Sequence, residues 1–303
     1  YSILGTDHGY RLLWIIPAST LLLVQFHLMA VRIGAASGKG FVGIIRERWG
    51  NVMGYVAVTG LLFANFGTIC AEYAGISAAG SLVGIPSFIS APIAGVLITA
   101  VVLLGSFHRV ERVLLFISST LALYIIDGIL AAPDWSEVWH NSIVPHMPVN
   151  QLGWIAIAAT LGTTLAPWGL AFIQSYAVDK KITVADLRWE RVDVVIGSLL
   201  TGVIGLAIAV ACAATLNRAG IQIEDAADVA EALRPLAGSF ATTLFGAGLL
   251  GASLLAAAIV PLATSYSIAE GIGAPASLDL DSHHFQYFYA AFVGLTVAAV
   301  SIV

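Results

Sequence analysis

Charge is the scarce commodity in this chain. Only 10% of its 303 residues are Asp, Glu, Lys or Arg, where a soluble domain carries about a quarter. That shortage excludes a large soluble core. With 59% hydrophobic residues and a mean hydropathy of +0.92, it points to a polytopic membrane protein. The net charge of −5 leaves no basic footprint, so nucleic acid is excluded as a partner. Cysteine is also rare. Cys70 and Cys212 both lie in apolar stretches, which rules out a disulfide framework or a zinc-ligand spacing. Catalytic signatures are missing: there is no HExxH, no GxSxG and no paired His/Asp motif. An initiator methionine and a basic leader are missing as well, since Tyr1 begins directly with YSILGTDHGYRLLW. The last residues, FVGLTVAAVSIV, stop inside an apolar run. Both ends are therefore expected to be cut from a longer protein.

What is present is a series of long apolar runs. Taking about 20 residues per span, the runs number about eight: 12–35, 52–83, 87–107, 110–132, 152–178, 192–216, 236–272 and 285 to the end. Ten of the 13 Lys and Arg residues fall in alternate loops. They are Arg32, Lys39, Arg46 and Arg48, then Arg109 and Arg112, then Lys180, Lys181, Arg188 and Arg191. By the positive-inside rule these loops are expected to be cytoplasmic, in a cell (plasma or inner) membrane, leaving Arg11, Arg218 and Arg234 outside. The loop at 273–284 breaks the pattern, with Asp279 and Asp281 and no basic residue. Acidic residues weigh little in the rule. The stretch at 133–150, with Trp135, Trp139, Pro145 and Pro148, reads as an interfacial cap. The stretch 224–234, EDAADVAEALR, has helical spacing and reads as a surface helix.

The fifth run holds the feature around which the others are arranged, LGTTLAPWGLAFIQ at 161–174. Pro167 has no N–H and clashes with the preceding turn. Gly162 and Gly169 flank it, and Thr163 and Thr164 precede it. A break at membrane depth is tolerated only where it is packed in protein or lines a cavity. A broken helix near the midplane is thus a candidate ion or substrate site; the plainer reading is an ordinary proline kink. Few ionisable groups share the spans. Glu72, in FGTICAEYAGISAAG, suits either a cavity or a packing role. His27 beside Gln25 reads as a proton relay or a satisfied bundle histidine. Asp127 and Asp193 read as boundary residues, and Gln174 lies one to two turns past the break.

These residues, in this order, resemble the NRAMP family of divalent-metal transporters. YSILGTDHGYRLLW and AVRIGAASGKG look like the end of that family's first helix and its second; CAEYAG matches its third-helix pattern with Glu72 at the acidic position; LFGAGLLGASLLAAAIVPLATSYSIAEGIG resembles its eighth. APW, Ala166 to Trp168, falls where the sixth helix carries Met-Pro-His. The resemblance implies a LeuT-like inverted-repeat fold, all-α. This chain would be a single transporter domain carrying helices 2–9: residues 1–150 as the rest of the first repeat and 151–303 as the second. It implies that the main metal-binding Asp and Asn lie on the first helix, just before Tyr1. It implies a divalent ion as substrate, with no cofactor, and the lipid bilayer as surroundings.

The departures from the family pattern carry the finer expectation. Ala166 stands in place of the methionine, and a thioether is a soft ligand, whereas carbonyls and water suit Mg²⁺. Trp168 replaces the histidine, Ile173 or Gln174 a later histidine, and Ile69 an aspartate three before Glu72. These groups are associated with proton movement in the family. The run GTTLAPW…QS…VDKK looks like the NRAMP-related magnesium transporters. The expected function is therefore alternating-access transport of Mg²⁺, or of Mn²⁺ as well, without obligatory proton coupling. Thr163 and Ala166 would line the metal, Pro167 would fix the break, and Trp168, Gln174 and Glu72 would line or gate the site. The alternatives are a proton-coupled Mn²⁺/Fe²⁺ carrier, a carrier of small organic solutes, and a membrane enzyme or receptor that transports nothing.

Overall fold

A computed structural model describes residues 1–104, 107–221, 223, 226–278 and 286–303. Among these every regular element is a helix. In chain order they are α1 (Ser2–His8), α2 (Ile15–Ser37), α3 (Phe41–Trp49), α4 (Asn51–Ser81), α5 (Ser87–Leu104), α6 (Phe107–Ser119) and α7 (Ala122–Leu130). They continue as α8 (Trp135–Ile143), α9 (Gln151–Thr164), α10 (Pro167–Asp179), α11 (Leu187–Cys212), a π-turn (Ala213–Asn217), α12 (Ala226–Ile272) and α13 (Gln286–Ile302). Seven segments are long and apolar enough to cross a membrane, and α13 adds a shorter apolar helix. The eight apolar runs of the sequence correspond to these segments one for one.

The differences from the sequence reading are local. The fourth run is two helices, interrupted at Thr120 and Leu121. The seventh is longer than expected: α12 runs through Pro235 without ending. The stretch assigned to a separate surface helix therefore continues into the span, although Glu224 itself lies outside the described residues, as do Asp279 and Asp281. Asp127, expected at a boundary, is buried on α7, and its Oδ2 has no hydrogen-bond partner. Two short helices, α3 and α8, occupy what read as loops. The start of α8 is written locally, because Asp134 caps it by accepting from the amides of Ser136 at 3.0 Å and Glu137 at 3.2 Å.

The helices group into two compact units. One comprises residues 1–25, 119–165 and 195–251, and the other 26–118, 166–194 and 252–303. Each thus draws on both halves of the sequence. The first is cored by Leu4, Leu13, Ile16, Val138, Ile157 and Val210. Within it Asn217 donates to the carbonyl of Thr6 at 2.6 Å and holds the end of α1 to the π-turn. The second is cored by Ile69, Tyr73, Tyr266, Phe288 and Phe292. Tyr266 and Phe288 meet edge to face at 4.9 Å.

Helix α3 begins where it does because of a carboxylate far away in sequence. Its first amides have no partner within the helix. Glu270 of α12 supplies one: Oε2 accepts from Val42 at 3.0 Å and Gly43 at 3.1 Å, and Oε1 accepts from Ser175 of α10 at 2.5 Å. A Cβ on Gly40, the residue before α3, would occupy the space of that carboxylate, so the Glu270 head group would have to leave its bonds to make room. We expect Glu270→Ala to cost about 1–3 kcal/mol of stability, the scale for stranding buried donors of a charged acceptor. Thermal unfolding of the purified protein checks this. Glu270→Gln should lose less, and Gly40→Ala should destabilise in the same direction.

Candidate functional site

The proline does to the fifth run what its chemistry demands. Helix α9 ends at Thr164, Leu165 leaves helical geometry at φ −102° and ψ 34°, and Ala166 is extended at φ −57° and ψ 133°. Extended backbone is what a residue before proline prefers. Pro167 then opens α10 as its first residue, where its missing N–H costs nothing. The carbonyl of Thr163 would take its helical hydrogen bond from residue 167, which has no N–H to give. The 14 residues of α9 and 13 of α10 each run about 20 Å at 1.5 Å per residue. The break therefore sits near the middle of a span that crosses a core about 30 Å thick. The last carbonyls of α9 precede the break in the chain and the first amides of α10 follow it.

The side chains around the break divide by role. Thr163 is exposed. The Thr164 hydroxyl is taken up, donating to Thr160 at 2.8 Å and meeting the Tyr1 hydroxyl at 2.7 Å. Ala166 presents only a methyl group. Trp168 packs against the core of the second unit beside Phe172 and Tyr176, which is a packing position. Glu72 stands half-buried on α4 with Ser253 of α12 as a polar neighbour.

Helix α2 lies along α10. His27 Nε2 is 3.7 Å from where a Cβ would stand on Gly169, one turn from the break. Two turns further along, Gly34 meets Gln174 so closely that a Cβ would be 2.9 Å from its carbonyl oxygen. Gln174 is buried and donates to the carbonyl of Lys39 at 3.0 Å, so its amide anchors the chain after α2.

The C-terminal end of α10 carries residues that the sequence reading passed over. Asp179 accepts from Tyr266, from Ser277 at 2.5 Å and from the amide of Leu278 at 2.9 Å. With Glu270, Ser175, Arg46 and Lys39 it lines a cavity of about 640 Å³. Lys39 pairs there with Glu47 at 2.6 Å. A signal for Glu270 existed: it is the single acid in an otherwise uncharged run from Pro261 to Ile272. Among the described residues no three His, Cys, Asp or Glu side chains converge as a ready metal site.

The family profile described as Nramp, natural resistance-associated macrophage protein-like, matches residues 1–303. The chain belongs to the Nramp family. The divalent metal cation transporter MntH of Deinococcus radiodurans is 29% identical over 276 residues, covering 86% of this chain and 62% of that protein. The protein of the same name from Caldanaerobacter subterraneus is 25% identical over 273 residues, covering 86% and 64%. Crystal structures of mutants of the Eremococcus coleocola manganese transporter superpose with a TM-score of 0.80 at 20% identity, covering 98% of this chain and 64% of that one. The fold is therefore the LeuT-like fold of Nramp proteins. This chain spans less than two thirds of the length of these relatives.

The α2–α10 contact gives a direct check. Gly34→Ala should destabilise by roughly 1–3 kcal/mol, the usual cost of overpacking, because the obstacle is backbone. Gly60→Ala, where nothing stands within 4 Å, should be neutral or stabilising. Equal thermal unfolding of the two variants would contradict the packing.

Proposed function

We propose that this Nramp chain serves divalent metal cation transport, by alternating access around the break at Leu165 and Ala166. The observation that carries this reading is the Thr163 carbonyl, left without its helical donor at mid-span. The ion or its waters would meet the carbonyl of Thr163, Ala166 would leave space for the hydration shell, Pro167 would hold the break open, and Trp168 would brace or gate α10. Gln174 and Glu72 would line or gate the path. Residues 1–150 and 151–303 would be the parts of the two repeats that this chain carries, with the basic loops cytoplasmic and the protein in the cell membrane.

For the metal, Ala166 supports Mg²⁺. A methyl group removes the soft thioether that favours late transition metals, and it leaves room for the hydration shell Mg²⁺ gives up reluctantly. Replacement of the family's histidines by Trp168 and by Ile173 or Gln174 supports transport without obligatory proton coupling. A second reading, proton-coupled Mn²⁺ transport, draws on two observations. The imidazole of His27 lies beside Gly169, within a turn of the break, and the structural neighbours are named manganese transporters.

Uptake by the full-length protein in proteoliposomes separates these readings. We expect Mg²⁺ to enter with no change in lumenal pH. Strong Mn²⁺ uptake with no Mg²⁺ uptake would overturn the magnesium reading, and acidification in step with metal uptake would overturn the uncoupled one. No flux of any divalent metal would overturn transport itself. Ala166→Met should shift the preference toward Mn²⁺ over Mg²⁺ about tenfold, the worth of a ligand contact of roughly 1.4 kcal/mol.

A further inference from the structure

The first unit holds a second cavity that the transport reading does not use. It measures about 940 Å³ and is bounded by the turn after α1, by α8 with the segment that follows it, and by the π-turn after α11. Arg11 and Arg218 line it. Among the described residues the ion pairs involve lysines alone, so neither guanidinium has an acidic partner. Tyr10 forms part of the same wall. It is 8% exposed; the backbone amide of Asp134 approaches its hydroxyl oxygen, and among the described residues the hydroxyl meets no acceptor. Burial holds this phenol above its ordinary pKa, with the Arg218 charge pulling the other way, so at neutral pH it is an O–H donor. A buried donor without an acceptor costs about 1–3 kcal/mol, and the two guanidiniums beside it, exposed to solvent at the cavity wall, supply positive charge that an oxyanion would meet.

The other polar groups narrow the ligand. Glu137 is the one carboxylate among the lining residues, set against two guanidiniums. Asp134, which also faces Tyr10 electrostatically, spends its Oδ1 on the cap of α8. His8, His140 and His146 complete the titratable lining. The His140 and His146 rings lie 6.1 Å apart, and His146 Nδ1 is 3.1 Å from the carbonyl of Val144. Guanidinium pairs bind tetrahedral oxyanions through forked hydrogen bonds. Next to the cavity, α8 exposes Trp135 and Trp139, and Trp14 donates to the carbonyl of His146 at 3.2 Å. Tryptophans in this setting mark the headgroup level of a bilayer.

We propose that this cavity is a binding site for a phosphate-class oxyanion, held by Arg11, Arg218 and the Tyr10 hydroxyl at the membrane interface. The phosphate belongs either to an anionic lipid headgroup or to a soluble ion, and the site is independent of which metal the protein carries.

Two binding measurements on the full-length protein test it. Lipid retention is read by native mass spectrometry after exchange into phosphatidylglycerol or phosphatidylcholine. Thermal unfolding is read in inorganic phosphate against chloride at matched ionic strength. Preferential retention of phosphatidylglycerol identifies a headgroup site, and a phosphate-specific rise in Tm identifies a soluble one. In either case Arg11→Gln with Arg218→Gln should abolish the effect. Tyr10→Phe should weaken binding about tenfold, the scale of one charge-assisted hydrogen bond. Glu137→Gln should tighten binding, a gain that a folding defect cannot produce. Absence of both effects in the unaltered protein, or an effect that survives loss of both arginines, would overturn the proposal.

Discussion

A missing N–H governs this structure. In a hydrocarbon surround every backbone donor and acceptor has to be satisfied within the protein or face a cavity. Pro167 withholds the donor that Thr163 would use, and here the chain leaves helical geometry at Leu165 and Ala166, whereas Pro92 is absorbed inside an unbroken α5. The span becomes two half-helices, α9 and α10, joined through Leu165 and Ala166, and the proposed site uses the carbonyl left over there. The surrounding helices are arranged so that this unsatisfied backbone is held rather than healed.

The holding is done at the far end of α10, about 18 Å from Pro167 at 1.5 Å per residue. There Ser175 is bonded to Glu270, and Asp179 to Tyr266, Ser277 and the amide of Leu278. Glu270 also caps α3, and Gln174 ties the chain before α3 through Lys39. A short half-helix is thereby joined to α12, α3 and the end of α2 by two carboxylates and one amide. Any movement that opens the break on this side either carries these elements along or parts their bonds. Helix α2, pressed against α10 at Gly34, sets the register of that assembly.

The spans were legible in the sequence because each is a long apolar run, and the break was legible because proline's chemistry is local. Family membership was legible for a related reason, since CAEYAG and APW keep their order and spacing. What escaped notice depends on contacts distant in sequence or on subtle local geometry. Helix α3 carries RER in a polar stretch, and its start is set by Glu270, 228 positions beyond Val42. The interruption at Thr120 and Leu121 has no proline or glycine to announce it. Conversely Pro235 lies inside α12, so the surface stretch and the seventh run are one helix. Trp168 read as a gate or a packing residue and lies against a core; Gln174 read as a vestibule residue and is engaged with Lys39. Glu270 went unweighed because its partners, Val42, Gly43 and Ser175, cannot be seen from a one-dimensional string.

The central claim is that a divalent cation occupies the break. It is tested most directly by placing a single cysteine at Ala166 in a full-length protein lacking Cys70 and Cys212, and measuring how fast a water-soluble thiol reagent modifies it with and without metal. The account predicts that Mg²⁺ or Mn²⁺ slows modification in a saturable way, while the same ionic strength of a monovalent salt does not. A modification rate indifferent to every divalent metal would contradict it.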